Sequence, residues 1–388
     1  MMDIVKLNDI CDVRDGTHDS PKSVPEGYPL VTSKNIIDGQ IDISNVNYIS
    51  KEDYEAINKR SNVDDGDILM PMIGTIGRPV IVKKDFEFAI KNVALIKFIE
   101  NSKVTPTYIR YILDSNLFKR YVEKENRGGT QKFISLGNIR NFPVAVVSLD
   151  KQNEITTVLD KLSHLIRNRS SQIELLDTLI KSLFVEMFGE SGEEVPLTDY
   201  VWFQEGPGVR SVDFRSEGRI LLTGSNINDN EISFGHKSDR FISNELAAGK
   251  YSHFICDKGD ILVVTSAIAP DKFDKKVVVL EGEHNYCLNT GIIRFKPNHE
   301  HLTNGYFREF LKSMYFKRQV MSEMRGIAQM HFGPSHLKKM TILLPDSLEK
   351  QIEFEKFVQQ VDKLKFEVQK SLDENKILFD SLMQEYFE

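Results

Sequence analysis

Small sets of hydroxyl, amide and basic side chains recur at matching places in two halves of this chain. In the first half they are Thr17 with His18, Ser33-Lys34-Asn35, Thr75 with Arg78, and Arg127-Gly128-Gly129-Thr130-Gln131-Lys132. In the second half, Ser225-Asn226, Thr265-Ser266, and Arg325 through Gln329 to His331 hold the corresponding positions. Arginine and lysine suit guanine edges, asparagine and glutamine suit adenine edges, and serine and threonine suit phosphates. Glycines at 128 and 129 would let backbone N–H groups approach a phosphate closely. Such side chains act best from loops on a firm scaffold. The plainer reading of each is an ordinary solvated loop. His18, in Asp15-Gly16-Thr17-His18-Asp19-Ser20-Pro21, is as well explained by turn chemistry as by a base-edge contact. Lys119-Arg120 and Lys317-Arg318 fall on expected helices, where a solvated face and a phosphate clamp are equal readings.

Catalytic chemistry leaves no comparable pattern. Adenine methyl transfer needs an Asp or Asn followed by Pro-Pro and an aromatic residue to hold the flipped base. The chain contains no Pro-Pro dipeptide, and Asn141-Phe142-Pro143 reads as a strand after a turn. Gly206-Pro207-Gly208 has glycines, but its proline and the strand-like residues after it argue for a plain loop rather than a cofactor turn. No Walker A sequence is present. Pro270-Asp271 with Asp274-Lys275-Lys276 has its acids only three residues apart and reads as a charged turn. His284 and Cys287 lack a second pair, so they belong to a surface loop and the nine histidines form no metal pattern. Cys11, Cys256 and Cys287 are too scattered for a disulfide framework or a zinc cage.

The elements that would position these sets are written twice. Leu7-Asn8-Asp9-Ile10 recurs as Leu197-Thr198-Asp199-Tyr200, and Thr32 to Asp38 as Thr223 to Asp229. Gly66-Asp67-Ile68-Leu69 returns unchanged as Gly259-Asp260-Ile261-Leu262. Ser148-Leu149-Asp150-Lys151-Gln152 is answered by Ser347-Leu348-Glu349-Lys350-Gln351. Each half opens with 140–150 residues of short apolar strands and Gly, Asn and Asp turns. One helix is expected in each, around Tyr108 to Lys124 and Tyr306 to Met324. That mixture predicts an α+β globular domain.

The last 40 residues of each half change period. Ile155, Leu159, Leu162, Ile166, Arg169, Ile173, Leu176, Ile180, Leu183 and Met187 step alternately by four and three, a heptad seam. Phe354, Val358, Val361, Lys365, Val368, Leu372, Asn375, Phe379, Leu382 and Tyr386 repeat it, each 199 residues later. An amphipathic helix needs a partner for its apolar stripe. Each could pack on its own globular domain; the better reading pairs the two with each other, antiparallel, as a rod of roughly 60 Å at 1.5 Å per residue. Arg169, Lys365 and Asn375 would act as register markers that cost some stability.

Composition is that of a water-soluble globular protein, with 40% hydrophobic and 28% charged residues. The net charge of −7 is unevenly spread. Residues 1–147 balance at 0 and 191–346 at −1, while 148–190 carry −2 and 347–388 carry −4. Two neutral blocks bind nonspecific DNA weakly, because counterion release scales with the phosphates neutralised. No apolar run approaches the roughly 20 residues that span a bilayer, and the first residues lack a signal-peptide pattern. Unpaired cysteines fit a reducing cytoplasm.

Over nearly its whole length the sequence resembles the specificity subunits of Type I restriction-modification systems. Thr32 to Gly39, the Gly-Asp-Ile-Leu word, Gly74-Thr75-Ile76-Gly77 and Gly129 to Ser135 look like that family's first target-recognition domain. Ser182 to Gly189 is similar to its central conserved region. The second half departs where Thr265-Ser266-Ala267-Ile268-Ala269 replaces the Gly-Thr-x-Gly turn. The resemblance implies a target-recognition domain over 1–147, a conserved long helix over 148–190, a second such domain over 191–346 and a second long helix over 347–388. It implies a non-catalytic DNA reader: each domain takes one half of an asymmetric bipartite site, and the paired helices set the spacer. Two methyltransferase subunits would dock on the helices, and ATP-driven translocase-nuclease subunits would join for restriction. S-adenosylmethionine, ATP and Mg2+ would sit on those partners and none on this chain. The alternative is a coiled-coil protein scaffold without DNA readout.

Overall fold

The computed structural model describes residues 3–37, 39–74, 76–99, 101–125, 133–189, 192–235, 237–284, 286–323 and 330–388. Its contacts form two compact units, Met1–Ser170 with Gln369–Glu388, and Ser171–Val368. This division runs through both long helices, where a division by sequence pattern falls at their ends.

In the first unit an antiparallel sheet runs in the order Cys11–Asp15, Val93–Phe98, Ile68–Pro71, Val80–Ile81. Val93–Phe98 begins as an unbroken apolar run because both of its faces are covered. Ala94 and Ile96, with Ile68 and Met70, join a core that includes Tyr108, Ile109 and Ile112. Val93 and Leu95, with Leu69, join a second core around Val31, Phe88 and Ile90. The two-residue period of a strand thus divides it between two cores. A smaller sheet pairs Tyr28–Val31 with Asn47–Ile49 and, in parallel, with Ala89–Ile90. Asp3–Lys6 pairs with Pro143–Val146, just before the long helix begins.

The second unit repeats this plan. Val201–Glu205, Ile292–Pro297, Ile261–Val264 and Val277–Val279 form the four-stranded sheet in the same order. Arg219–Leu222 runs parallel to Cys287–Leu288, and Glu193–Pro196 pairs with Thr341–Leu344. The single helix expected in each half is instead two, Pro106–Asp114 then Asn116–Glu125, and Asn304–Lys312 then Met314–Glu323. The break is chemical. Ser115 is extended (ψ 160°), its hydroxyl donates to Ile112 O at 2.7 Å and accepts from Phe118 N at 3.3 Å. Ser313 accepts from Phe316 N in the same way. One serine ends a helix and caps the next.

The long helices span Leu149–Met187 and Leu348–Phe387. Their expected seam positions, from Ile155 to Leu183 and from Phe354 to Leu382, are all buried or half-buried. In the first unit Ile155 and Leu159 share a core with Phe379, Leu382, Met383 and Phe387. In the second, Leu176, Ile180 and Leu183 share one with Phe354, Val358 and Val361. The start of each helix therefore meets the end of the other, which is antiparallel pairing. Lys365, a polar seam position, donates to Asp177 at 2.5 Å.

The helices also pack on the globular parts, so the two readings of their apolar stripe hold together. Phe184, Phe188, Met383 and Phe387 are buried one position beside the seam. A helix of 3.6 residues per turn drifts from a 3.5-residue seam, and the drift brings a second stripe inward. Burial of each such side chain contributes about 1.5–3 kcal/mol. Among the described residues no helix is long and apolar enough to cross a membrane.

Candidate nucleic-acid interface

Antiparallel pairing decides where the loops of the first unit meet. Asp15, the last residue of its strand, lies opposite Ala94, and Pro71, the last of its strand, lies opposite Val93. The connections leaving these ends gather at one sheet edge. Backbone bonds lock them: Gly16 N donates to Val93 O at 3.0 Å, Thr17 N to Ile90 O at 3.0 Å and Asn92 N to Thr17 O at 3.2 Å. Lys91 N donates to Val31 O at 2.9 Å, which brings Thr32–Asn35 to the same edge, and Ile134 N donates to Met72 O at 3.0 Å. Gly16 passes so close that a Cβ would stand 2.2 Å from Ile90 O.

The side chains on this edge are basic and polar. His18 Nε2 lies 2.9 Å from Asp15 Oδ2, and Nδ1 lies 2.8 Å from Asn92 Oδ1. Arg60 Nη2 donates to the other oxygen of the buried Asp15 at 2.5 Å. Two oxygens facing both ring nitrogens suit the doubly protonated ring, in which both are donors. The Asn92 bond first, then the Asp15 bond, raise the pKa of His18 above its ordinary value. An open cleft of about 560 Å³ runs past Thr17, His18 and Arg60. Lys34 and Arg78 are exposed, and among the described residues neither has a hydrogen-bond or ion-pair partner.

The second unit builds the same edge with other chemistry. Gly206 N donates to Ile292 O, Thr290 N to Pro207 O, Asn289 N to Leu222 O and Phe332 N to Thr265 O, all at 3.0–3.1 Å. These four bonds match four of the five in the first unit; the fifth, from Thr17 N, has no counterpart because Pro207 carries no N–H. Here Ser266 Oγ lies 2.9 Å from His331 Nδ1, Glu205 accepts from Gly291 N at 3.3 Å, and Ser225 Oγ lies 2.8 Å from Thr223 Oγ1.

Thr17, His18, Ser33 and Lys34 thus lie on connections gathered at one edge of the first unit, Arg78 lies in the connection that leaves Pro71, and Ser225, Ser266 and His331 lie on the corresponding connections of the second. Thr75, Arg127, Gln131, Lys132, Arg325 and Gln329 lie outside the described residues. Three expectations need correction. Asn35 and Asn226 are buried at 6% and 1% exposure, and their amides brace their own turns. Asn35 Oδ1 accepts from Thr32 N and Oγ1, and its Nδ2 donates to Asp42 O at 3.0 Å. Asn226 bonds Thr223, Ser233 and Asp239 in the same manner. Thr265 is 1% exposed and serves as a backbone junction. None of the three presents a side chain to a ligand. Both ring nitrogens of His18 are engaged within the unit, while its side chain is largely exposed.

One member of each helix basic pair is tied internally, Arg120 to Glu388 at 2.8 Å and Lys317 to Asp274. Asp274 further accepts from Lys181 at 2.8 Å, so the charged turn is a bracket. Sequence reasoning missed Asp15, Arg60 and the turns Lys91-Asn92 and Asn289-Thr290. A signal existed, because Lys91-Asn92 directly precedes the apolar strand beginning at Val93, and Asn289-Thr290, with Gly291, precedes the one beginning at Ile292. Burial pushes the Cys11 thiol up to about 12 and Cys287 to about 11, which keeps both thiols protonated and unreactive. Among the described residues no group of three His, Cys, Asp or Glu side chains is placed to hold a metal ion.

The comparisons agree with this duplicated plan. The model of the Type I restriction modification DNA specificity domain matches the chain twice, over residues 1–175 and 193–377. A Methanocaldococcus jannaschii protein assigned as the specificity subunit of the type I restriction enzyme MjaX is 24% identical over 93% of this chain and 87% of its own. The fold is similar to that of a Type-I restriction-modification system S subunit from M. genitalium. That chain is 15% identical, with all of this chain and 96% of that one covered at a TM-score of 0.59. A chain solved in work on complex assembly and conformational transition of the type I R-M system is similar too. It is 15% identical over all of this chain and 97% of that one, with a TM-score of 0.56.

Proposed function

The chain belongs to the family of Type I restriction modification DNA specificity domains, and from that premise we propose that each unit reads one half of an asymmetric, bipartite DNA site. The chain is the non-catalytic, sequence-recognising member of a restriction-modification complex. The observation that carries the two-part reading is the pair of equivalent sheet edges, locked by matching backbone bonds yet furnished with different side chains. Equal scaffolds with unequal edges recognise unequal half-sites. Base contacts specify and phosphate contacts position, so the exposed Lys34 suits the backbone, while Ser225, Ser266 and His331 supply hydroxyl and imidazole groups.

Partners follow from the same premise. Two methyltransferase subunits carrying S-adenosylmethionine dock along the paired helices and modify an adenine in each half-site. Translocase-nuclease subunits using ATP and Mg2+ join for restriction, and the complex works on cytoplasmic DNA. Methylome sequencing of a host carrying this chain with its methyltransferase partner tests the reading. Two short specific sequences separated by unspecified bases are expected; a continuous or palindromic motif refutes it. The same measurement probes the spacer. Matched heptads inserted after Asn168 and Glu367 preserve the seam and add about 10 Å, or about three base pairs of DNA rise. An unchanged gap with methylation retained would show that the helices do not set the distance.

A further inference from the structure

Among the described residues five non-glycine residues have positive φ: Arg78, Asn92, Asn101, Asp229 and Asn230. Four are Asn or Asp, whose short side chains tolerate the left-handed region. Arg78, at φ 52°, is the exception. Its neighbours in the turn explain how it is held there. Gly74 and Gly77 take φ 77° and 91°, and Pro79 follows with its own fixed φ. A glycine at 78 would adopt the same backbone without strain. The position nevertheless carries a long cation, which is exposed and has no partner among the described residues. Strain of this kind persists where the surrounding structure imposes it, and it clusters at binding sites.

Resting on the specificity reading above, we propose that Arg78 is a specificity-determining residue that reads a guanine in the half-site of the first unit. A phosphate contact needs a charge within reach, which a flexible exposed lysine such as Lys34 supplies. A guanine edge offers two acceptors, O6 and N7, and the planar guanidinium fork meets both only from a fixed direction. Arg78, set at positive φ directly between Gly77 and Pro79 in the connection joining two strands of the sheet, is held to such a direction by its backbone. Among the described residues the second unit holds no exposed arginine at the equivalent connection. Its equivalent connection is longer and folds into a short helix, Pro270–Lys275. There Lys275 pairs with Asp229 at 2.9 Å, and Lys276 donates to Ile227 O at 2.7 Å and to Asn228 Oδ1 at 2.6 Å. The dependence on one arginine therefore belongs to one half-site.

The test uses the full chain assembled with its methyltransferase partner, with Arg78→Gly and Arg78→Lys variants. The readouts are the methylated motif, binding to duplexes bearing 7-deazaguanine at single positions, and the melting temperature. With Arg78→Gly, one guanine position of one half-site should relax and the other half-site should stay intact. Binding should weaken by about tenfold or more, while the melting temperature holds or rises. Removing N7 at that guanine should weaken the unsubstituted complex and leave the variant unaffected. Arg78→Lys, which keeps the charge, should relax the same position. An unchanged motif in both variants overturns the inference, as does a uniform loss of binding with the motif intact, which would make Arg78 a phosphate contact. If the unsubstituted complex shows no bipartite motif, the specificity reading falls and the inference with it. A bipartite motif indifferent to Arg78 overturns the inference alone.

Discussion

In the second unit, Arg308 donates to Glu309 at 2.9 Å and to Asp362 of the terminal long helix at 2.8 Å, while Lys312 donates to Glu309 at 3.0 Å. Glu309 and Lys312 are almost fully buried. The first unit places Arg110, Tyr111 and Asp114 at the equivalent positions. There the tie to the long helix is a hydroxyl, Tyr111 donating to Asp160 at 2.7 Å, with Arg110 at 3.5 Å from the same carboxylate. Two copies of one scaffold thus fasten to their helices by different chemistry. What they share is a buried glutamine. Gln152 accepts from Thr105 N at 2.9 Å and donates to Lys103 O and Val147 O. Gln351 accepts from Thr303 N at 3.0 Å and donates to His301 O at 2.9 Å. Backbone bracing is retained in both copies, and side-chain chemistry at the fastening and at the sheet edge has diverged. A braced backbone tolerates such divergence because its folding rests on bonds that the varying side chains do not make.

The comparison can be broken most directly at Glu309. Burial alone would raise its carboxyl, but the charges of Lys312 and Arg308 hold it below the usual carboxylate range. Glu309→Ala leaves two cations confined together and should cost about 3–5 kcal/mol in denaturant unfolding. Arg110→Ala removes a partly exposed, long ion pair and a guanidinium stacked 3.9 Å over the Tyr111 ring, and should cost only about 1 kcal/mol. Equal losses would mean that the two fastenings are equivalent after all.

Next in size are the shared brackets. Gln152→Ala and Gln351→Ala each strand buried backbone groups, at about 2–3 kcal/mol apiece. Their effects should match, since the two glutamines do the same work in both units. A large difference in unfolding free energy between them would show that the bracing has diverged too.

The smallest effect belongs to His18, whose counterpart in the second unit is Gly208. Its pKa is raised on folding, so its stabilisation is fully present below the unfolded value of about 6.5 and is lost as pH rises through the folded value. The melting-temperature difference between the unsubstituted chain and His18→Gln should be greatest near pH 5.5 and fade toward pH 8.5. A difference independent of pH would place the stabilisation in packing rather than in the protonated ring.

Much of this architecture is legible in the sequence, and the reasons differ from residue to residue. The words Gly-Asp-Ile-Leu and Ser-Leu-x-Lys-Gln betray the duplication because both copies need the same brace. Gly66 and Gly259 turn at φ 83° and 87° into their strands, and Asp67 and Asp260 accept the N–H groups of Asp64 and Asp257. Their recurrence is plain, but nothing in the letters separates a brace from a contact. Asn35 and Asn226 have the residue type of a base reader and the position of a turn bracket. The mid-helix breaks at Ser115 and Ser313 escaped a reading by apolar period, because the periodicity runs on across them.

The sequence by itself determined the repeat, the heptad register and the unequal polar sets, since each is a property of spacing along one chain. Only the tertiary structure decided which polar groups face outward. His18 meets Asn92 across 74 residues, Asp15 meets Arg60 across 45, and Arg140 reaches Val13 O across 127. A hydrogen bond depends on distance in space, and spacing along the chain predicts that distance only within a helix, a strand or a turn.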